Sequence, residues 1–161
     1  MPVNTSAVGK EYPPVVYAVG REKVKEYANA VGETNPLHLD PAAARAAGYG
    51  DVVAPPMFAV VYQAPSVMPG MFDPEVGINF AMLVHSGQDF RWERVVVAGE
   101  ELSTQAKVAS IAEKGGMGFY DFEVVTKDAG GATVCTGLWK IIVRGGLRWL
   151  RTTRPAPSSR S

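Results

Sequence analysis

Cysteine is almost absent from this 161-residue chain: Cys135 stands alone. That excludes an internal disulfide framework and any multi-cysteine metal cluster, and it fits a reducing compartment. Charge of one sign is also lacking. Sixteen Lys+Arg balance sixteen Asp+Glu, for a formal net charge of zero, whereas a general nucleic-acid binder carries a basic excess. No stretch approaches the roughly eighteen apolar residues of a membrane span, and the opening MPVNTSAVGKEYPP holds no apolar segment of the kind a secretory leader needs. Missing too are GxGxxG, P-loop and GxSxG patterns, which removes dinucleotide, nucleotide and serine-hydrolase chemistry. The two histidines, with Cys135 and the scattered carboxylates, show no spacing suited to zinc or iron. What remains is 47% apolar and 20% charged, an ordinary globular composition at a length that suits one domain. The expectation is a cytoplasmic, single-core protein with no metal and no cofactor, binding neither nucleic acid nor membrane.

The first half reads as short helices. Val24, Tyr27, Ala28 and Val31 recur at helical spacing, and Gly32 suits the stop. Asp40 as N-cap, Pro41 in the first helical position and Gly48 at the end delimit a second helix. After Pro55-Pro56, the residues Met57, Val60, Val61, Ala64, Val67 and Met68 are apolar nearly all round, which predicts a buried helix that Pro65 kinks or ends. The second half changes period. Alternation over Ile78–His85 is followed by runs rich in β-formers at Gln88–Val97, Leu102–Ala112, Phe119–Lys127 and Thr133–Val143. Gly-rich separators mark hairpins, and Tyr12–Val19 is an early strand able to join them. The sum is an α+β domain over residues 1–146, an antiparallel sheet of five or six strands wrapped around one buried helix. After Asp128 no acidic residue appears while Lys140, Arg144, Arg148, Arg151, Arg154 and Arg160 do, so 147–161 reads as a basic flexible tail.

His38 sits in the loop Gly32-Glu33-Thr34-Asn35-Pro36-Leu37-His38 between two helices, where Asn35-Pro36 favours a turn. That turn can fold Glu33 back toward the imidazole, and a carboxylate beside a histidine makes an acid–base pair. The plainer reading is a pair of turn-stabilising surface residues. His85, beside Ser86-Gly87, reads either as a substrate contact or as a histidine satisfied at a strand end.

The segment YANAVGETNPLHLDPAAARAAGYGDVVAPPMF resembles the hydratase motif of the MaoC-like (R)-specific enoyl hydratases and 3-hydroxyacyl-thioester dehydratases. More closely it resembles the N-terminal-type MaoC dehydratase family, which includes actinobacterial hydroxyacyl-carrier-protein dehydratase subunits. The likeness runs on through HSGQDFRWERVVVAGEEL and spans roughly Lys10 to Val143. It implies a single hot-dog fold, pairing into a homodimer or with a second hot-dog subunit, and an acyl thioester of coenzyme A or acyl carrier protein threaded along the buried helix, in fatty acid or polyketide metabolism. Carried over, Glu33 and His38 divide the acid and base roles in reversible hydration of a trans-2-enoyl thioester. Asn35 holds the turn, and Pro56, Met57 and His85 meet substrate. Two departures stand out: Glu33 replaces the usual Asp, and Pro56 replaces a Gly whose N–H polarises the thioester carbonyl, which leaves the Met57 N–H or a partner's group as donor. The alternative is a non-catalytic, substrate-binding subunit of a heterodimeric dehydratase. A hot-dog thioesterase is third. The basic tail then reads as a solvated terminus or as a patch for carrier protein or the coenzyme A phosphates.

Overall fold

Three of the alternating runs in the second half form long strands close to where the pattern places them: β3 (Glu101–Lys114), β4 (Met117–Asp128) and β5 (Thr133–Val143). The computed structural model describes residues 3–144, so the expected tail at 147–161 lies outside the described residues. The β3–β4 hairpin closes through Gly115 and Gly116, both at positive φ (60° and 75°), the requirement of a two-residue turn whose twist matches its strands. With β1 (Val15–Ala18) and β2 (Leu83–Trp92) they make a five-stranded, wholly antiparallel sheet in the order β1-β3-β4-β5-β2.

Two expectations fail here for identifiable reasons. The alternation over Ile78–His85 does not make its own strand. Asn79 Oδ1 accepts the Ala81 N–H at 3.2 Å and caps a 3₁₀ turn at Phe80–Met82, a local bond that competes with sheet pairing. The run to Val97 ends early, at Trp92. Past that point the chain pairs elsewhere: the Ala54 N–H donates to Val96 O at 2.8 Å and Val53 bridges Val97.

Helices α1 (Arg21–Ala30) and α2 (Pro41–Ala46) precede the central α3 (Ala59–Met71). Pro65 does not end α3; the helix contains both Pro65 and Pro69. Both prolines lie with Met68 on an exposed stripe, where water can take the carbonyls that a missing N–H frees. The opposite face is buried. Val67 and Met71 pack with Val108, Phe122, Val124 and Ile141, while Phe58, Ala59 and Tyr62 pack with Val24, Val52, Val96, Leu102 and Val134. Near the C-terminal end the approach is close: a Cβ on Gly70 would lie 2.5 Å from Phe122 Cε1 and 3.0 Å from Tyr12 Cε2. Between the two apolar clusters sits a polar one. Gln63 Oε1 accepts the Trp139 indole N–H at 3.1 Å, its Nε2 donates to Thr126 Oγ1 at 3.3 Å, and Thr126 meets Thr104 at 3.1 Å. An ionic latch ties the N-terminal segment to the end of α3: Lys10 reaches Asp73 at 2.7 Å and Glu75 at 2.6 Å, and the Tyr12 hydroxyl donates to Asp73 at 2.8 Å. No helix among the described residues is long and apolar enough to cross a membrane.

Candidate active site

Helix α1 stops by a Schellman motif. Gly32, at φ 72°, donates its N–H to Asn29 O and Glu33 donates to Ala28 O at 2.8 Å, the paired bonds that close such a terminus. The chain is thereby turned at Glu33. Its carboxylate accepts the N–H groups of Thr34 (2.9 Å) and Asn35 (3.0 Å). These amides, Asn35 first, hold the carboxyl below the usual carboxylate range, with a smaller contribution from the charge of His38. Glu33 is thus an ionised acceptor at neutral pH.

Asn35 Oδ1 then accepts the Leu37 N–H at 3.0 Å and caps the 3₁₀ turn Pro36–His38. The turn is pinned to the segment before α3, since Val53 donates its N–H to Leu37 O at 2.9 Å. His38 Nδ1 lies 2.6 Å from Val53 O. A carbonyl only accepts, so Nδ1 carries the proton, and in the neutral ring Nε2 holds the free lone pair. The imidazole is buried, at 9% exposure.

His38 forms part of the wall of a cavity of about 380 Å³. Leu37 stands beside it, and Val53 to Pro56 make the floor leading into α3. Tyr62 closes the helix side, and Trp92 with Arg94 to Val96 supplies the opposite wall. Tyr49 completes it, placed by a second Schellman terminus in which Gly48 (φ 92°) donates to Arg45 O and Tyr49 to Ala44 O, each at 3.0 Å. The lining is mostly apolar with a few polar groups, the usual make-up of a small-molecule site. Trp92 Nε1 donates to Pro56 O at 3.0 Å, joining the end of β2 to the start of the helix. Arg94 is committed to Glu100, Asp128 and Val95 O.

Of the residues singled out from sequence, His38 and Pro56 share this wall; Glu33, Asn35, Met57 and His85 do not line it. Met57 is 46% exposed. His85 stacks on Trp139 at 4.9 Å, with Nε2 3.0 Å from Gln88 Oε1. Tyr49 and Tyr62 were not singled out from the sequence; α3 also carries Gln63 and Ser66, so a polar group on it was no distinguishing sign. Cys135 is fully buried and its thiol is pushed up by burial, which leaves it a poor nucleophile. Among the described residues no group of three His, Cys, Asp or Glu is placed to hold a metal ion.

Residues 6–136 match the family described as "FAS1-like, dehydratase domain region". A UPF0336 protein of Clavibacter michiganensis subsp. michiganensis is 47% identical over 146 residues, covering 90% of this chain and 98% of that one. Among solved structures, a MaoC-like dehydratase is 31% identical with a TM-score of 0.78, covering 88% of this chain; this chain spans only 43% of that longer one. A chain of the C-terminally truncated HadBC (3R-hydroxyacyl-ACP dehydratase) complex from Mycobacterium tuberculosis is 26% identical with a TM-score of 0.75, covering 87% of this chain and 99% of that one. The five-stranded sheet around one central helix is the hot-dog arrangement of these neighbours, and the chain belongs to the FAS1-like dehydratase-region family, within the MaoC-like dehydratases and hydratases.

Proposed function

We propose that this protein interconverts trans-2-enoyl and (R)-3-hydroxyacyl thioesters, with His38 as the group that moves the proton. The observation carrying this reading is the His38 ring itself. It is held by Val53 O through Nδ1, which leaves Nε2 as the free nitrogen of a ring that lines an apolar cavity. In the hydration direction Nε2 takes a proton from water as the oxygen bonds to the β-carbon. The resulting imidazolium then delivers that proton to the α-carbon on the same face, so water adds syn and the base is regenerated. Glu33 stays ionised at neutral pH, its carboxylate held by the Asn35 and Thr34 amides. It is therefore not a second proton donor.

A second reading rests on two features of this chain. Pro56 brings no N–H to the start of the helix, and the Glu33 carboxylate is spent on its own backbone amides, off the cavity wall. Both suit a substrate-binding subunit whose hot-dog partner performs the chemistry, and the HadBC neighbour is itself a 3R-hydroxyacyl-ACP dehydratase complex. Purified protein incubated with crotonyl-CoA, followed by loss of the enoyl-thioester absorbance, separates the two. Hydration that drops by about 10²-fold or more in His38→Ala supports the enzyme. No turnover alone, with turnover on adding a second MaoC-type subunit that persists in His38→Ala and Glu33→Ala, replaces it with the binding subunit.

A further inference from the structure

We propose that Arg94 is a positioning residue for His38: its guanidinium, held between Glu100 and Asp128, keeps the β2–β3 connection against residues 52–54 and so fixes the carbonyl that decides which imidazole nitrogen carries the proton. The proposal deepens the reading above and rests on it for its catalytic meaning. Proton transfer by His38 requires no arginine, yet one lines the same cavity with its charge already engaged. Its Nη1 donates to Glu100 Oε1 at 3.1 Å and to Val95 O at 2.9 Å. Its Nη2 donates to Glu100 Oε2 at 2.8 Å and to Asp128 Oδ2 at 3.1 Å. A single exposed ion pair contributes little, whereas a bidentate fork shared by two carboxylates holds its geometry.

Both carboxylates are themselves fixed. Glu100 closes a four-residue turn whose third residue, Gly99, has φ 97°, a conformation that favours glycine there. The Glu100 N–H donates to Val97 O at 3.3 Å, and its Oε1 accepts the Val97 N–H at 2.7 Å. Asp128 Oδ1 accepts the N–H groups of Gly130 and Ala132, each at 3.0 Å, in the β4–β5 turn. Arg94, ahead of those amides, holds the Asp128 carboxyl below the usual carboxylate range. The guanidinium thereby moors the β2–β3 connection to the main sheet.

From there the coupling runs through backbone. The Ala98 N–H donates to Val52 O at 3.0 Å and the Ala54 N–H to Val96 O at 2.8 Å. Val52 and Ala54 thus face the connection, and Val53 between them faces the other way. Its N–H goes to Leu37 O at 2.9 Å, and its O receives His38 Nδ1 at 2.6 Å. Residues 52–54 therefore lie between the histidine's turn and the connection like the middle of three strands. A carbonyl on one ring nitrogen sets the tautomer and leaves the other nitrogen for chemistry. When the connection drifts, the Val53 carbonyl drifts with it, and rates fall steeply with small misplacements of a catalytic group.

The test reads the ring directly, so it stands apart from turnover. Long-range proton–nitrogen NMR spectra are recorded at neutral pH on wild type, Arg94→Gln, Glu100→Gln and Lys107→Gln, with His85→Gln to tell the two histidines apart. Lys107→Gln is the control: it breaks a comparably exposed ion pair, with Glu123 at 3.0 Å, off the cavity wall. In wild type, neutral His38 is expected to favour the Nδ1–H form by about tenfold, the net worth of one hydrogen bond. Arg94→Gln and Glu100→Gln reduce that preference by about threefold or more, the scale of a networked ion pair, and Lys107→Gln leaves it unchanged. Where wild type hydrates crotonyl-CoA, Arg94→Gln lowers kcat by at least the same factor, with KM changed less. If the preference shifts as expected in a protein that does not hydrate crotonyl-CoA, Arg94 keeps its positioning role and the enzymatic reading falls. A wild type with its proton on Nε2, or a preference unchanged in both Arg94→Gln and Glu100→Gln even as their melting temperatures fall, overturns the proposal. An equal change in Lys107→Gln, or a wild-type kcat in Arg94→Gln alongside a shifted preference, overturns it too.

Discussion

Replacing Gly70 by Ala pits two effects of similar size against each other. Within a helix, Ala is favoured over Gly by up to about 1 kcal/mol, so a surface site would gain. Here the new methyl would sit 2.5 Å from Phe122 Cε1 and 3.0 Å from Tyr12 Cε2, against an ordinary carbon–carbon separation of about 3.5–4.0 Å. Phe122 is fully buried and Tyr12 is 6% exposed, so relief requires the helix to lift from the sheet by about 1 Å rather than a side chain to swing away. Overpacking of this kind costs about 1–3 kcal/mol, and the double contact places it toward the upper end. The helix gain offsets part, leaving a net loss of about 1–2 kcal/mol. For a domain of this size that lowers the melting temperature by about 3–6 °C, measured by circular dichroism with a urea titration alongside. Gly50→Ala, with open space around the new methyl, is the control and should stay within about 0.5 kcal/mol of wild type. A Gly70→Ala protein as stable as wild type would refute the close helix–sheet approach.

Acid stability follows from the latch at the end of α3. Lys10 beside Asp73, together with the Glu75 N–H and the Tyr12 hydroxyl, pulls the Asp73 carboxyl down to about 2. A carboxyl depressed in the fold contributes stability that is full above about pH 4 and lost as pH falls through about 2. The melting temperature of Asp73→Asn should therefore differ most from wild type at pH 5–6 and converge on it toward pH 2; parallel acid curves would contradict the latch. In the core, Gln63→Leu strands the Trp139 indole N–H, a loss of about 1–3 kcal/mol visible as a lower urea midpoint at unchanged slope. Adding Trp139→Phe should recover part of it, since removing both partners is gentler than removing one.

The β3, β4 and β5 runs were legible because two-residue alternation and glycine-marked hairpins act locally, and the cap at Asp40 and the turn at Asn35-Pro36 were legible for the same reason. The region from Ile78 to Val97 was not. Its apolar spacing suits a strand, but Asn79 captures a neighbouring amide and residues 96–98 find partners at 52–54, a pairing between distant segments that no local pattern encodes. Pro65 does not end α3 for a related reason: tertiary burial of the opposite face sustains a helix that propensity alone would end. At the candidate site, the bend carrying Glu33 and His38 was visible in GETNPLH. The destination of the Glu33 carboxylate, its own backbone amides, depends on how α1 terminates. Tyr62 was not legible as a cavity residue because the walls around it come from distant segments.

The Gln63 amide never meets the cavity, yet it works as a rotational key. Successive helical residues step about 100° around the axis, and hydrocarbon alone would let a cylinder of this kind turn on its bed. Gln63 finds its partners at one angle only, opposite Trp139 and Thr126, which fixes the azimuth of Tyr62 one step away. Redesign of the cavity can vary Tyr49 or Val95 while that key holds the axle still; a change at Gln63 itself would swing every group the helix presents.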